Sequence, residues 1–112
     1  MNLKLKKKFI QEIHDYKNSW SSRDYKACIH HLGRAHIISQ QSPTLHLYVH
    51  WMMFWFALSQ CDLREVVGQI VRLIVTIPGH LIGKVPKGNI GWSFVGLTQE
   101  MEIPDDIAEL ND

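Results

Sequence analysis

One stretch constrains the fold more than any other: Leu45 to Leu58 carries apolar or aromatic side chains at almost every position, interrupted by His46 and His50. It is too short to span a bilayer, which needs about 20 residues. A helix apolar nearly all round has to be walled in by other elements. Ser42-Pro43 supplies an N-cap and a first helical position. The reading is therefore a helix from Pro43 to about Gln60, expected to be the central and most buried element of an all-α protein.

The rest of the chain follows the same period. Leu5, Phe9, Ile13 (or Glu12) and Tyr16 recur at helical spacing with lysines opposite. A polar break at Asn18–Asp24 follows, where Ser21 or Ser22 can cap a second helix marked by Tyr25, Ile29, Leu32 and His36. Asp62 can cap a fourth helix, with Glu65 where a capping box puts it. Val66, Ile70, Leu73 and Ile77 are its expected core stripe, Glu65, Gln69, Arg72 and Thr76 line another face, and Pro78-Gly79 ends or kinks it. Residues 83–103 read as an irregular loop and 104–112 as an acidic tail with a short helix. The expectation is a single domain over 1–112, a small bundle of about four helices. Its first two helices look like one tetratricopeptide-like hairpin through Tyr16, Asp24-Tyr25-Lys26-Ala27 and Arg34-Ala35. One such hairpin makes no solenoid. Four helices of this length leave apolar surface over, so a homodimer is expected.

Charge excludes some classes of function. A formal net charge of +1 over 112 residues gives no basic stripe for nucleic acid. The charge is polarised, with Lys4, Lys6, Lys7 and Lys8 near the start and only acids after Lys87, so the tail is expected to fold back on the first helix or pack on a neighbouring subunit. The two cysteines, Cys28 and Cys61, form no Cys-x-x-Cys pair, and neither a disulfide framework nor a signal peptide is legible. A cytoplasmic protein without a transmembrane segment is the expectation.

Chemistry concentrates on three histidines. His46 and His50 are four residues apart and share a helix face, and His36 lies on the apolar face of the preceding helix, just before the turn. Antiparallel neighbours bring all three to similar heights. Imidazoles on facing helices are how bundles build metal sites, and zinc, copper or nickel would suit them. Cys61 is about 16 Å along the axis from His50 and Cys28 about 12 Å from His36, so neither can join. Further ligands could come from Glu65, Gln69 or His80, from water or from a second subunit. Two other readings stay open: core histidines satisfied by Tyr48, Gln69, backbone carbonyls or each other, and an acid–base site. His14, His30 and His31 read as solvent residues. Trp51, Phe54, Trp55, Phe56 and Trp92 read as core, and Pro86-Lys87-Gly88-Asn89-Ile90-Gly91 as a tight turn sealing the bundle rather than an anion cradle. No nucleophile motif is present.

Taken in order, Leu32-Gly33-Arg34-Ala35-His36-Ile37, Gln40, His46, His50-Trp51, Glu65-Val66, Gly68-Gln69 and Pro86-x-Gly88-Asn89-x-Gly91 resemble the bacterial family catalogued as domain of unknown function 3703. The similarity runs from Tyr16 to about Leu110. It implies a small helical bacterial protein, with histidines at the positions of His36, His46 and His50 and no established activity. The family pattern often has glutamate where this chain has Gly33, so the resemblance favours mononuclear histidine binding over a carboxylate-bridged di-iron centre. Transition-metal binding through the histidine cluster is thus the leading expectation. The alternatives are a tetratricopeptide-like interaction module, with a protein partner and structural histidines, and a small enzyme using a histidine base.

Overall fold

Each long helix begins at a side-chain cap supplied by the sequence. In the computed structural model, which describes residues 1–111, the helices are α1 (Leu3–Ser21), α2 (Tyr25–Ser39), α3 (Pro43–Ser59), α4 (Leu63–Leu81) and the single turn α5 (Asp105–Ala108). Asn2, Asp24, Ser42 and Asp62 accept from the backbone N–H three residues on, satisfying a donor that each first turn leaves free. No strand occurs among the described residues, and none of their helices is long and apolar enough to cross a membrane. Asp112, the end of the expected acidic tail, lies outside the described residues.

The cap of α2 is Asp24, not Ser21 or Ser22. The chain stays helical through Ser21, and both serine hydroxyls bond back to carbonyls of α1. Arg23 then turns the chain with φ 59°. The turn between α3 and α4 repeats this design. Cys61 takes φ 55°, and the cap residues Asp24 and Asp62 both donate their backbone N–H to the carbonyl five residues back, on Ser19 and Ala57. Two hairpins, α1–α2 and α3–α4, thus share one turn geometry and pack through α2 against α3.

The most buried helix is α2, not α3. Leu32, Ala35, Ile37 and Ile38 of α2 are enclosed, while Tyr48, Trp51, Trp55 and Leu58 lie on an outward face of α3. The core joins Leu5, Phe9 and Ile13 of α1 to Cys28, Leu32 and Ile38 of α2 and to Val49, Met53 and Phe56 of α3, with Trp92 and Ile107 filling from the C-terminal segment. Trp92 is buried, its indole N–H donating to the Ile29 carbonyl and its ring edge-on to Phe56. Trp51 and Trp55, expected in the core, are about half exposed at 49% and 50%.

Helix α4 inverts its expected orientation. Its buried residues are Glu65, Gln69, Arg72 and Thr76, whereas Ile70 of the expected core stripe is exposed and Val66, Leu73 and Ile77 are only half-buried. Leu63, Val67 and Ile74 face outward. The polar face turns inward because the segment after α4 returns along it as a strap of carbonyls and hydroxyls that only polar side chains can satisfy. Glu65 accordingly leaves the capping-box role. Its carboxylate accepts from the Ser93 N–H and hydroxyl and from Gln69, not from Asp62. Nor does Pro78-Gly79 end the helix, which continues to Leu81.

The strap's shape depends on two glycines. Gly88 (φ 78°) sits so close to the Met101 backbone that a Cβ would lie 1.9 Å from its carbonyl oxygen, and Gly91 (φ 86°) lies against the His36 ring. The tail then returns to the basic side of the molecule. Asp106 pairs with Arg34 and, at 3.7 Å, with Lys8, while Asn2 donates to the Leu110 carbonyl. His31 is not a solvent residue: its Nδ1 lies 3.4 Å from Glu12, whose carboxylate also accepts from Arg34.

Candidate metal centre

Two helices deliver the histidines: α2 places His36, and α3 places His46 and His50 one turn apart. Each imidazole is buried, at 2%, 6% and 3% exposure. The three Nε2 atoms converge, His36 to His46 at 2.9 Å, His36 to His50 at 3.0 Å and His46 to His50 at 3.2 Å. This triad is one of two such groups of His, Cys and acidic ligand atoms among the described residues. The other, Glu12 with Asp15 and His31, is partly neutralised by Arg34.

The outer nitrogens fix what the inner ones offer. His36 Nδ1 stands 2.6 Å from the Asn89 carbonyl oxygen, which can only accept, so Nδ1 carries the hydrogen and Nε2 a lone pair. His50 Nδ1 stands 2.8 Å from Gln69 Oε1. The Gln69 amide group donates to both Glu65 and the Gly91 carbonyl, which fixes its oxygen toward His50 and makes His50 Nε2 a second lone pair. Two lone pairs therefore meet at 3.0 Å. The protein has at most one hydrogen for the pair, on His46 Nε2, and it would have to be shared between both acceptors at 2.9 and 3.2 Å. A cation shared by all three nitrogens answers every donor at once. His46 Nδ1 is in turn 2.8 Å from His80 Nε2; in the tautomer where His46 Nδ1–H donates to His80, His46 Nε2 offers the third lone pair.

Electrostatics keep these rings in the metal-binding form. Burial first, then the neighbouring imidazoles, holds His36 well below the ordinary histidine range. The same causes take His46 down to about 3. Burial, opposed by the Gln69 bond and helped by the Arg72 charge, takes His50 to about 4. At neutral pH all three are neutral, so a metal has no proton to displace.

Distances suit a small transition ion. Nε2 atoms 2.9–3.2 Å apart would let His36, His46 and His50 hold one ion at about the 2.0–2.1 Å usual for imidazole nitrogen. Three protein ligands would leave it able to act as a Lewis acid toward a further group. All three histidines line a cavity of about 310 Å³, with Val75, Ile82 and Val85 among its walls. Of the further ligands considered from sequence, Gln69 and His80 stand behind His50 and His46, and Glu65 is one bond further out, behind Gln69. Cys28 is buried at the α1–α2 contact, bonding toward the Tyr16 carbonyl, and Cys61 is exposed on the α3–α4 turn.

Sequence reading missed three contributors. Asn89 supplies the carbonyl that orients His36, while its side chain donates to the Gly96 and Gln99 carbonyls and accepts from the Gly91 N–H. Gln40 clamps the strap, donating to the Pro86 carbonyl and accepting from the Gly88 N–H. Gly91 admits the ring itself, since a Cβ there would lie 2.5 Å from His36 Cδ2. The Pro86–Gly91 turn therefore does more than seal the bundle. Gly33, three residues before His36, faces Ile90 and Trp92 rather than the histidine cluster.

The family model described as protein of unknown function (DUF3703) matches residues 3–110. The chain belongs to that family. No curated protein and no solved structure matches it.

Proposed function

We propose that this member of DUF3703 binds one transition-metal ion through Nε2 of His36, His46 and His50. The observation that carries the reading is the pair of fixed lone pairs, on His36 and His50, aimed at one point 3.0 Å apart. Neutral imidazoles favour zinc, copper or nickel over calcium or magnesium. When bound, such an ion supplies Lewis acidity at its open position. Around it the chain's residues orient the ligands: Asn89 and Gln69 hold two tautomers, and His80 steadies His46. The enzyme reading with a histidine base is weaker, because groups at about 3 and 4 are poor bases at neutral pH. Elemental analysis of protein purified without an affinity tag should find close to one metal ion per chain. His36→Ala and His50→Ala should each lose it while remaining helical. A metal-free wild-type chain that also ignores micromolar zinc, copper and nickel would overturn the reading.

A second observation favours self-association. The outward face of α4, with Leu63, Val67, Ile70 and Ile74, adjoins α3, whose Trp51 and Trp55 also face outward. Burying these side chains would remove on the order of 800 Å² per chain, which is the size of a standard interface. A second copy of this chain is the proposed occupant.

A further inference from the structure

We infer that the cavity over the three histidines takes a small organic anion, a carboxylate on an apolar body, with its charged head held by the metal and Arg72. The inference rests on the metal reading and says what the open coordination position is for.

Charge is the first argument. Three neutral imidazoles leave a divalent ion with its full charge in a buried setting, and uncompensated buried charge is costly. Zinc sites that balance this internally do so with thiolates or carboxylates. Here no aspartate or glutamate lines the cavity, whereas Arg72 and Lys84 do. Arg72 is buried, and its guanidinium donates to neutral acceptors only: Nη1 to the Gly68 carbonyl and Ser93 hydroxyl and Nη2 to the Trp92 and Val95 carbonyls, so the Nε–H and the charge itself are what it can offer a ligand. The nearest acid along this network, Glu65, is reached only through Ser93. Glu65 lies close enough for its charge to act on Arg72 but does not line the cavity, so a bound divalent ion beside Arg72 would leave net positive charge there for a ligand to answer.

Shape is the second argument. A cavity of 310 Å³ is far larger than one water needs. At roughly 30 Å³ per water-sized group it accommodates about ten non-hydrogen atoms. Val75, Pro78, Ile82, Val85, Pro86 and Leu97 give it apolar walls. Inorganic anions would leave those walls wet, and a neutral apolar molecule would leave the charge unanswered. A monocarboxylate of six to nine non-hydrogen atoms satisfies both.

The test uses the intact chain loaded with cobalt(II), whose visible absorption reports its coordination. Hexanoate and benzoate are titrated beside acetate, hexanamide and 1-hexanol. The expected result is a band shift with hexanoate at least about tenfold tighter than with either acetate or hexanamide, a full power of ten in Kd. Arg72→Gln should still bind cobalt but lose most of that preference for the carboxylate over the amide. Should that variant fail to fold, the wild-type ligand series decides alone. Bands unmoved by carboxylates, or amide and carboxylate binding equally, overturn the inference while leaving the metal site standing. Failure of cobalt to bind the three histidines overturns the metal reading and this inference with it.

Discussion

At the scale of single residues, the protein builds its site by fixing hydrogens. A histidine cluster is ambiguous until something decides which nitrogen is protonated, and here Asn89 and Gln69 decide it for His36 and His50. The cost of burying these rings appears as pH dependence. Their ordinary value is near 6.5 in the unfolded chain. In the fold His46 lies at about 3 and His50 at about 4. Since the folded values are the lower ones, the native state resists protonation. Stability is full above about pH 6.5 and declines as pH falls toward 4, with the unfolded chain taking up the protons. Between pH 7.5 and 5 the metal-free protein should lose about 2 kcal/mol for each of these two groups, measured by urea unfolding. Stability that stays flat or rises in that window would contradict the burial of neutral rings. The three histidines were legible in sequence because helical spacing alone puts them on facing sides of one hairpin. Arg72 and Asn89 were not, because their partners lie on an irregular segment whose path no periodicity reports.

Helix α4 carries the lesson at the scale of elements. Its sequence separates an apolar stripe from a polar one, and periodicity says only which residues share a face. Which face turns inward depends on what packs against it. Here that is a strap presenting carbonyls and hydroxyls, so Glu65, Gln69, Arg72 and Thr76 are buried. The helix starts were easier, since Asp62 and Ser42 are local signals that need no tertiary partner. The turns were harder, because a non-glycine residue at positive φ leaves no mark in composition. Cys61 is such a residue, at φ 55° and exposed. Glycine takes this conformation without the steric cost of a Cβ, about 1–2 kcal/mol. Cys61→Gly should therefore stabilise the protein by about 1 kcal/mol, read as a raised urea midpoint with unchanged slope. No gain, or a loss, would mean that the thiol contributes contacts which the turn geometry does not reveal.

The whole molecule pairs two hairpins with the same turn and stitches them with a C-terminal strap. The acidic tail meets the basic first helix through Lys8 and Asp106, as their opposite charges suggested in the sequence, and Arg34 of α2 pairs with the same Asp106. What the pairing leaves over is the apolar side of α4. If a second copy covers it, light scattering should report twice the chain mass at micromolar concentration, and Ile74→Glu should give a folded monomer, since Ile74 is exposed in the single chain. A wild-type monomer at high micromolar concentration would remove the dimer from the account. The three histidines lie within one chain, so the proposed metal site does not depend on that outcome.

The central claim is the coordination of one ion by three imidazoles, and X-ray absorption at the zinc edge of the stoichiometrically loaded protein tests it most directly. The spectrum should show about three nitrogen scatterers at 2.0–2.1 Å with the outer-shell pattern of imidazole rings, plus one further light ligand. A sulfur shell, a first shell without imidazole, or protein that takes up no zinc would contradict it.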